Sequence, residues 1–233
     1  FKRAVLYQES RKVRSTRQGR AMERGSRFGR KQQESAWQNA EVDALYRLAA
    51  AGVRVPKPYG CFDGVLLMEL VTLPDGEVAP RLNDVTLDAE QARKDHATLM
   101  ESVKRMLCAG LVHGDLSEFN VLIDEQGPVI IDLPQAVDAA ANNNAFFMLN
   151  RDVNNITQYY GQFAPELLKT RFSPEMWSLY KEGKLEMDTV LTGEFFEPDT
   201  PADIDSVMAD IQAVLNEERE RIARANAEDF EDF

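Results

Sequence analysis

The stretch L-V-H-G-D-L-S-E-F-N at 111–120, followed shortly by V-I-I-D at 129–132, constrains this chain more than any other feature. Val121, Leu122 and Ile123 read as a short strand, Val129, Ile130 and Ile131 as its partner, and positions 124–127 as the polar turn between them. Such a hairpin fixes where two polar side chains must go. Asn120 stands just before the outgoing strand and Asp132 just after the returning one, so both reach the same open end. Asp115 approaches that end from the preceding loop.

Two oxygen ligands at one mouth suit a hard divalent cation, and magnesium fits best. Such an ion would neutralise charge on nucleotide phosphates, while Asp115 accepts the proton of an attacking hydroxyl or water. An isolated Asp or Asn beside Gly or Ser is usually a turn or a cap. Here, however, Asp115 and Asn120 stand in the D-x-x-x-x-N spacing of a kinase catalytic loop, and Asp132 occupies the later metal-binding position usually reached in D-F-G. Asp115 is therefore assigned the catalytic role, Asn120 and Asp132 the metal role. His113 organises the loop rather than acting as base, and with His96 it makes no zinc centre, because no close-spaced Cys or second His completes a tetrahedral set.

The rest of the chain arranges itself around that segment. Trp37, Val42, Leu45, Leu48 and Ala49 approximate helical spacing over 32–51, with Gly52 as the stop. Two prolines in V-R-V-P-K-P forbid its continuation. Strands are predicted at 59–62 and 65–70, joined by Asp63-Gly64, and Pro74, Asp75 and Gly76 then mark a hinge between two lobes. Thr86 is placed as the cap of a helix with Asp88 and Glu90 in its first turn, which Gly110 ends. Further helices are predicted at 144–160, 174–182 and 204–225, and Trp37 and Trp177 are read as packing residues.

Composition bounds the remaining possibilities. With 233 residues, 44% of them hydrophobic, the chain can build a core. Its net charge of -12 disfavours non-specific nucleic-acid binding by the whole molecule, but residues 1–31 hold 11 Lys or Arg against 2 acidic residues, leaving 16 basic against 37 acidic in the remainder. The basic segment 8–31 can meet RNA, an acidic partner or its own body. Cys61 and Cys108 form neither a disulfide framework nor a metal cluster, which suits a reducing cytoplasm. No apolar run is long enough to cross a bilayer as a helix, so no membrane partner is expected.

At H-G-D-L-S-E-F-N and I-D-L-P-Q the chain resembles the RIO family of atypical protein kinases, whose loops read H-G-D-L-S-E-[YF]-N and I-D-x-x-Q. Similar stretches are A-G-V-R-V-P-K-P at 51–58, L-L-M-E at 66–69, A-P-R-L at 79–82 and R-D-V-N-N-I at 151–156. The resemblance, closest in feel to a bacterial type-1-like member, implies an α+β, two-lobed kinase-like fold of the compact RIO type. Residues 1–70 would be a partial N-terminal lobe and 71–233 the helical catalytic lobe. It further implies that Glu41 pairs with a nucleotide-positioning lysine and that Met68, Glu69 and Leu70 form the adenine-contacting hinge. The glycine-rich phosphate loop and the strand lysine do not occur in the chain, and both are expected upstream of Phe1.

The implied cofactors are ATP and Mg2+, with Mn2+ as substitute, and the implied activity is that of a serine/threonine protein kinase or ATPase. A ribosomal or RNA partner through 8–31 is the implied association. No A-P-E element follows Asp132, and Ser117 replaces the usual lysine of the catalytic loop. The acceptor therefore stays open between a serine, a carboxylate and water. A small-molecule phosphotransferase and a nucleotide-switched binding module are the competing readings.

Overall fold

Glycines and prolines divide the chain into elements as their backbone chemistry requires. The computed structural model describes residues 41–62 and 65–196. The basic segment 8–31, Trp37, the Asp63-Gly64 turn and the helix predicted at 204–225 lie outside the described residues. Residues 41–50 are helical (α1), burying Ala44, Leu45 and Leu48 on one face. Gly52 then takes φ +71°, and the Val53 N–H returns to the Leu48 carbonyl at 3.0 Å. A glycine at this position ends a helix without the clash a Cβ would bring.

Strands β1 (Pro58–Phe62) and β2 (Val65–Met68) form an antiparallel pair with Phe62 opposite Val65 and Pro58 opposite Met68. The second strand stops two residues short of the predicted Leu70. Val71 has by then turned away to accept from the N–H of Ala79. The turn that follows rests on Gly76 at φ +87° and on Asp75, whose carboxylate accepts the Glu77 N–H at 3.0 Å.

Helix α2 (Ala89–Cys108) is capped by Asp88 rather than by Thr86. The Asp88 carboxylate accepts the Gln91 N–H at 2.8 Å, satisfying one of the amides that a helix start leaves without an intrahelical partner. Gly110, at φ +75°, ends the helix as predicted. Strand β3 (Leu111–Val112) follows, then β4 (Val121–Asp124), β5 (Gly127–Ile130) and β6 (Val137–Asp138). Two further helices follow, α3 (Ala145–Gly161) and α4 (Phe172–Lys181).

The sheets are three open two-stranded pairs, β1–β2, β3–β6 and β4–β5, so the fold is mixed α/β with no barrel among the described residues. All these elements belong to one compact unit ending at Phe195. Its core joins the helices to the central hairpin through Leu48, Leu99, Met106, Leu107, Leu116, Ile130, Met148 and Ile156, all fully buried. Trp177 packs against Phe146 and Tyr180, in keeping with its predicted packing role. By contrast Tyr59, Phe62, Val65 and Leu67 of β1–β2 remain exposed.

His96 lies inside that core, 3.0 Å from the Thr157 hydroxyl, and burial lowers its pKa from 6.5 to about 4. A depressed folded-state value means stability that is complete above 6.5 and is lost as pH falls through about 4. That shift corresponds to about 3 kcal/mol. Unfolding free energies measured from pH 7 down to 4 are expected to fall less steeply for His96→Gln than for the parent, and parallel curves would contradict this.

Candidate active site

The β4–β5 hairpin brings its two flanking residues together. Asp124 opposite Gly127 closes the turn, and Val121 opposite Ile130 begins the open end. One further bond, from the Ile131 N–H to the Asn120 carbonyl at 3.0 Å, carries the pairing out to the mouth, where Asp132 follows directly. Arg54 anchors the far end, donating to Asp124 at 2.6 Å, while its own carbonyl accepts the Ile130 N–H. Asp132 stands at φ +66°, the only non-glycine among the described residues with positive φ. This left-handed conformation is disfavoured for side-chain-bearing residues, tolerated best by Asn and Asp, and concentrated at functional sites.

The preceding loop is held from two sides. His113 is buried; its Nε2 faces the Ile131 carbonyl at 3.1 Å and its Nδ1 faces the Asp115 N–H at 3.3 Å. Those partners require the proton on Nε2 and the lone pair on Nδ1. Burial lowers the His113 pKa, against the pull of the Ile131 carbonyl, and the two hydrogen bonds make the ring a strut for the loop. From the other side Asp152 of α3 accepts the Gly114 N–H at 2.7 Å and the Leu116 N–H at 3.1 Å. Arg151 donates to the Gly114 carbonyl, and Asn155 donates to the Leu116 carbonyl at 3.1 Å.

The sequence pattern does not reveal the positioning parts played by Arg151, Asp152 and Asn155, although R-D-V-N-N-I is among the family-like stretches. The available signal was Asp152 falling on the apolar face with Val153 and Ile156, where a charged residue has to find partners. Burial pushes its carboxyl up to about 7, opposed by the two N–H donors and by Arg151. Asp152→Asn keeps the volume but turns one acceptor into a donor facing a backbone N–H. The expected loss is about 1–3 kcal/mol of stability, with turnover reduced more than ATP binding. Denaturant unfolding and initial rates check this; parent-like values for both would contradict it.

Asp115, Asn120 and Asp132 line one cleft of about 460 Å³, together with Ser117, Glu118, Phe119 and the α3 residues Asn155, Gln158, Tyr159 and Gln162. The Asn120 amide nitrogen donates to the Asp115 carbonyl at 2.8 Å, and Gln135 donates to the Asp115 carboxylate at 2.9 Å. Because the Asn120 nitrogen is engaged with a carbonyl, its amide oxygen is the end left for a cation. An amide oxygen and a carboxylate form the all-oxygen set that Mg2+ takes, with phosphates and waters completing an octahedron. Among the described residues no cluster of three or more His, Cys, Asp or Glu could hold a metal ion by itself.

Glu41 and Met68 share a small crevice with Leu45, Leu66 and Asp132. Burial first, and then the charge of Asp132, raise the Glu41 pKa. Glu69 and Leu70 do not join them. The Glu69 carboxylate accepts the Lys57 N–H at 3.0 Å, and Leu70 is 67% exposed. A separate hollow of about 380 Å³ beside Lys104 contains none of the predicted site residues, and Lys104 there donates to the Thr189 carbonyl at 2.7 Å.

With this geometry in place, comparison with known proteins gives concordant matches. The family model described as RIO domain matches residues 1–172. "RIO-type serine/threonine-protein kinase Rio1" of Haloferax volcanii is 42% identical over 125 residues, 54% of this chain and 42% of that protein. Its namesake in Thermoplasma acidophilum is 35% identical over 124 residues, 53% of this chain and 63% of that protein. "Serine/threonine-protein kinase RIO1" of Caenorhabditis elegans is 31% identical over 162 residues, 69% of this chain and 31% of that protein. The chain thus spans less than two thirds of the length of each of these relatives.

Proposed function

The chain belongs to the RIO family, and from that premise we propose that it transfers the γ-phosphoryl group of ATP to a protein serine or carboxylate, or to water, as an atypical serine/threonine protein kinase or ATPase. The observation that carries this reading is the convergence of Asp115, Asn120 and Asp132 at the mouth of one hairpin, in one cleft. The bond that forms joins the acceptor oxygen to the γ-phosphorus. The bond that breaks joins that phosphorus to the β–γ bridging oxygen, and ADP departs with the electron pair. Where the acceptor is a hydroxyl or water, Asp115 takes its proton, with Gln135 and the His113 strut holding its loop in place.

Asn120 and Asp132 would hold Mg2+, or Mn2+ in its place, and the ion would supply charge neutralisation at the phosphates. Glu41, on the far side of Asp132, is assigned to pair with a nucleotide-positioning lysine, and Met68, Glu69 and Leu70 to border the adenine. In this reading α1 with β1–β2 belongs to an N-terminal lobe and α2–α4 to the catalytic lobe of a two-lobed kinase. The relatives include Rio1 and Rio2 proteins alike, so they support the family and not one branch of it. Those named are archaeal and eukaryotic, and so lend no support to the bacterial part of the expectation.

Among the described residues no helix is long and apolar enough to cross a membrane. A cytoplasmic setting, and a ribosomal or RNA partner for 8–31, remain proposals resting on the sequence. The experiment that tests the activity follows labelled γ-phosphate from ATP into protein, small molecule and inorganic phosphate, using full-length protein with Asp115→Ala as control. Label in protein or inorganic phosphate, abolished in the control, is the expected result. Label in a small alcohol would reassign the acceptor, and no Asp115-dependent transfer at all would overturn the reading.

A further inference from the structure

The acceptor side of the cleft has a one-sided charge pattern. Its outer wall is one face of α3, where Asn155, Gln158, Tyr159 and Gln162 recur at helical spacing, and its inner wall is the loop carrying Asp115, Ser117, Glu118 and Phe119. Amides and hydroxyls dominate, three carboxylates (Asp115, Glu118 and Asp132) line it, and no Lys, Arg or His does so among the described residues. Two of the carboxylates already have tasks in the proposed reaction, Asp132 toward the metal and Asp115 toward the hydroxyl. Glu118 has none.

Glu118 has no cationic partner among the described residues, whereas Asp124 is held by Arg54 and Glu101 by Lys104 and Arg105. Its charge is felt across the cleft, where burial and then Glu118 and Asp84 raise the pKa of the Tyr159 phenol. The Tyr159 hydroxyl is itself committed to the Leu82 carbonyl at 2.8 Å and so is not a second acceptor site. Beside Glu118, Phe119 is 50% exposed. A carboxylate and an exposed aromatic ring lining the same cleft are a combination that receives a cationic side chain, the carboxylate taking the charge and the ring taking the cation or its aliphatic stem.

Resting on the phosphotransferase reading above, we infer that this cleft takes a hydroxyl-bearing peptide segment with a basic side chain next to the acceptor, and that Glu118 and Phe119 read that basic residue. An acidic neighbour would be set among Asp115, Glu118 and Asp132 with no cation lining the cleft to meet it, and such like-charge placement is how sites reject a wrong partner. The chemistry is that already described. The acceptor oxygen bonds to the γ-phosphorus, ADP leaves, and the proton passes to Asp115, while Glu118 exchanges nothing.

The test uses full-length protein, ATP with Mg2+, and three serine peptides identical except for Arg, Gln or Glu beside the serine. The expected order of kcat/KM is Arg, then Gln, then Glu. The Arg-to-Glu ratio should shrink as salt rises, since an exposed charge contact is screened. Glu118→Gln is expected to lower that ratio by about threefold to fivefold, the worth of a partly exposed ion pair, and Glu118→Lys to lower it further. The ratio is internal to each protein, so a general loss of activity cancels. The salt series on the parent stands even if a variant fails to fold.

Equal use of the three peptides, preference for Glu, or a ratio unchanged in Glu118→Gln would overturn the inference while leaving the phosphotransferase reading intact. So would γ-phosphate released only to water in the presence of every peptide. Absence of any Asp115-dependent loss of γ-phosphate from ATP would instead remove the phosphotransferase reading, and this inference with it.

Discussion

Asp115→Asn is expected to slow γ-phosphoryl transfer by about 10²- to 10⁴-fold, the usual worth of a positioned general base, while ATP affinity stays near that of the parent. Asparagine keeps the size of the side chain and an oxygen that can still accept from Gln135, now at 2.9 Å from the carboxylate. It cannot take a proton, and it carries no charge. The backbone contacts of the loop, through His113, Asp152 and Asn120, do not involve the Asp115 side chain, so the fold should persist. Rapid-quench measurement of transfer, with equilibrium ATP binding and circular dichroism, separates loss of chemistry from loss of binding. A folded variant with a parent-like chemical rate would refute the assignment, and a matching loss of ATP affinity would move Asp115 into the metal or nucleotide site.

Asp132→Ala is expected to abolish the metal dependence of ATP binding and to cut transfer by at least about 10²-fold. Loss of outer-shell partners alone typically costs about 10- to 100-fold, and a direct oxygen ligand should exceed that. Asp132 is exposed, so little packing is lost, but its φ of +66° makes alanine an imperfect probe. Asp132→Asn is the cleaner companion, because asparagine tolerates that backbone and removes only the charge. Calorimetric titration with ATP, with and without Mg2+, reads the effect. If metal still strengthens ATP binding to the same degree in both variants, Asp132 is not the ligand.

The hairpin mouth was legible because short continuous apolar runs on either side of a polar turn leave little freedom in where their flanking residues go. Asn120 and Asp132 had to meet once Val121 paired with Ile130. The glycine stops at Gly52 and Gly110 were legible for an equally local reason. What the sequence hid was long-range. No local pattern says that Asp152, far along the chain, takes the Gly114 and Leu116 amides, or that Gln135 reaches Asp115. The cap of α2 was misplaced by two residues because Thr86 and Asp88 are both good caps, and which one is used depends on the backbone path into the helix. The strand predicted through Leu70 failed at its end for the same kind of reason, since the pull of Ala79 on the Val71 carbonyl is a tertiary contact.

Phosphoryl transfer at this site requires a nucleotide-bound divalent ion at the mouth of the hairpin. Crystals of the full-length protein grown with a non-hydrolysable ATP analogue and Mn2+ would locate that ion directly by its anomalous scattering. The predicted result is a peak within bonding distance, about 2.0–2.6 Å, of the Asn120 amide oxygen and an Asp132 carboxylate oxygen, with the terminal phosphate facing Asp115 across the cleft. A bound nucleotide whose metal lies away from both residues, or whose terminal phosphate points away from Asp115, would contradict it.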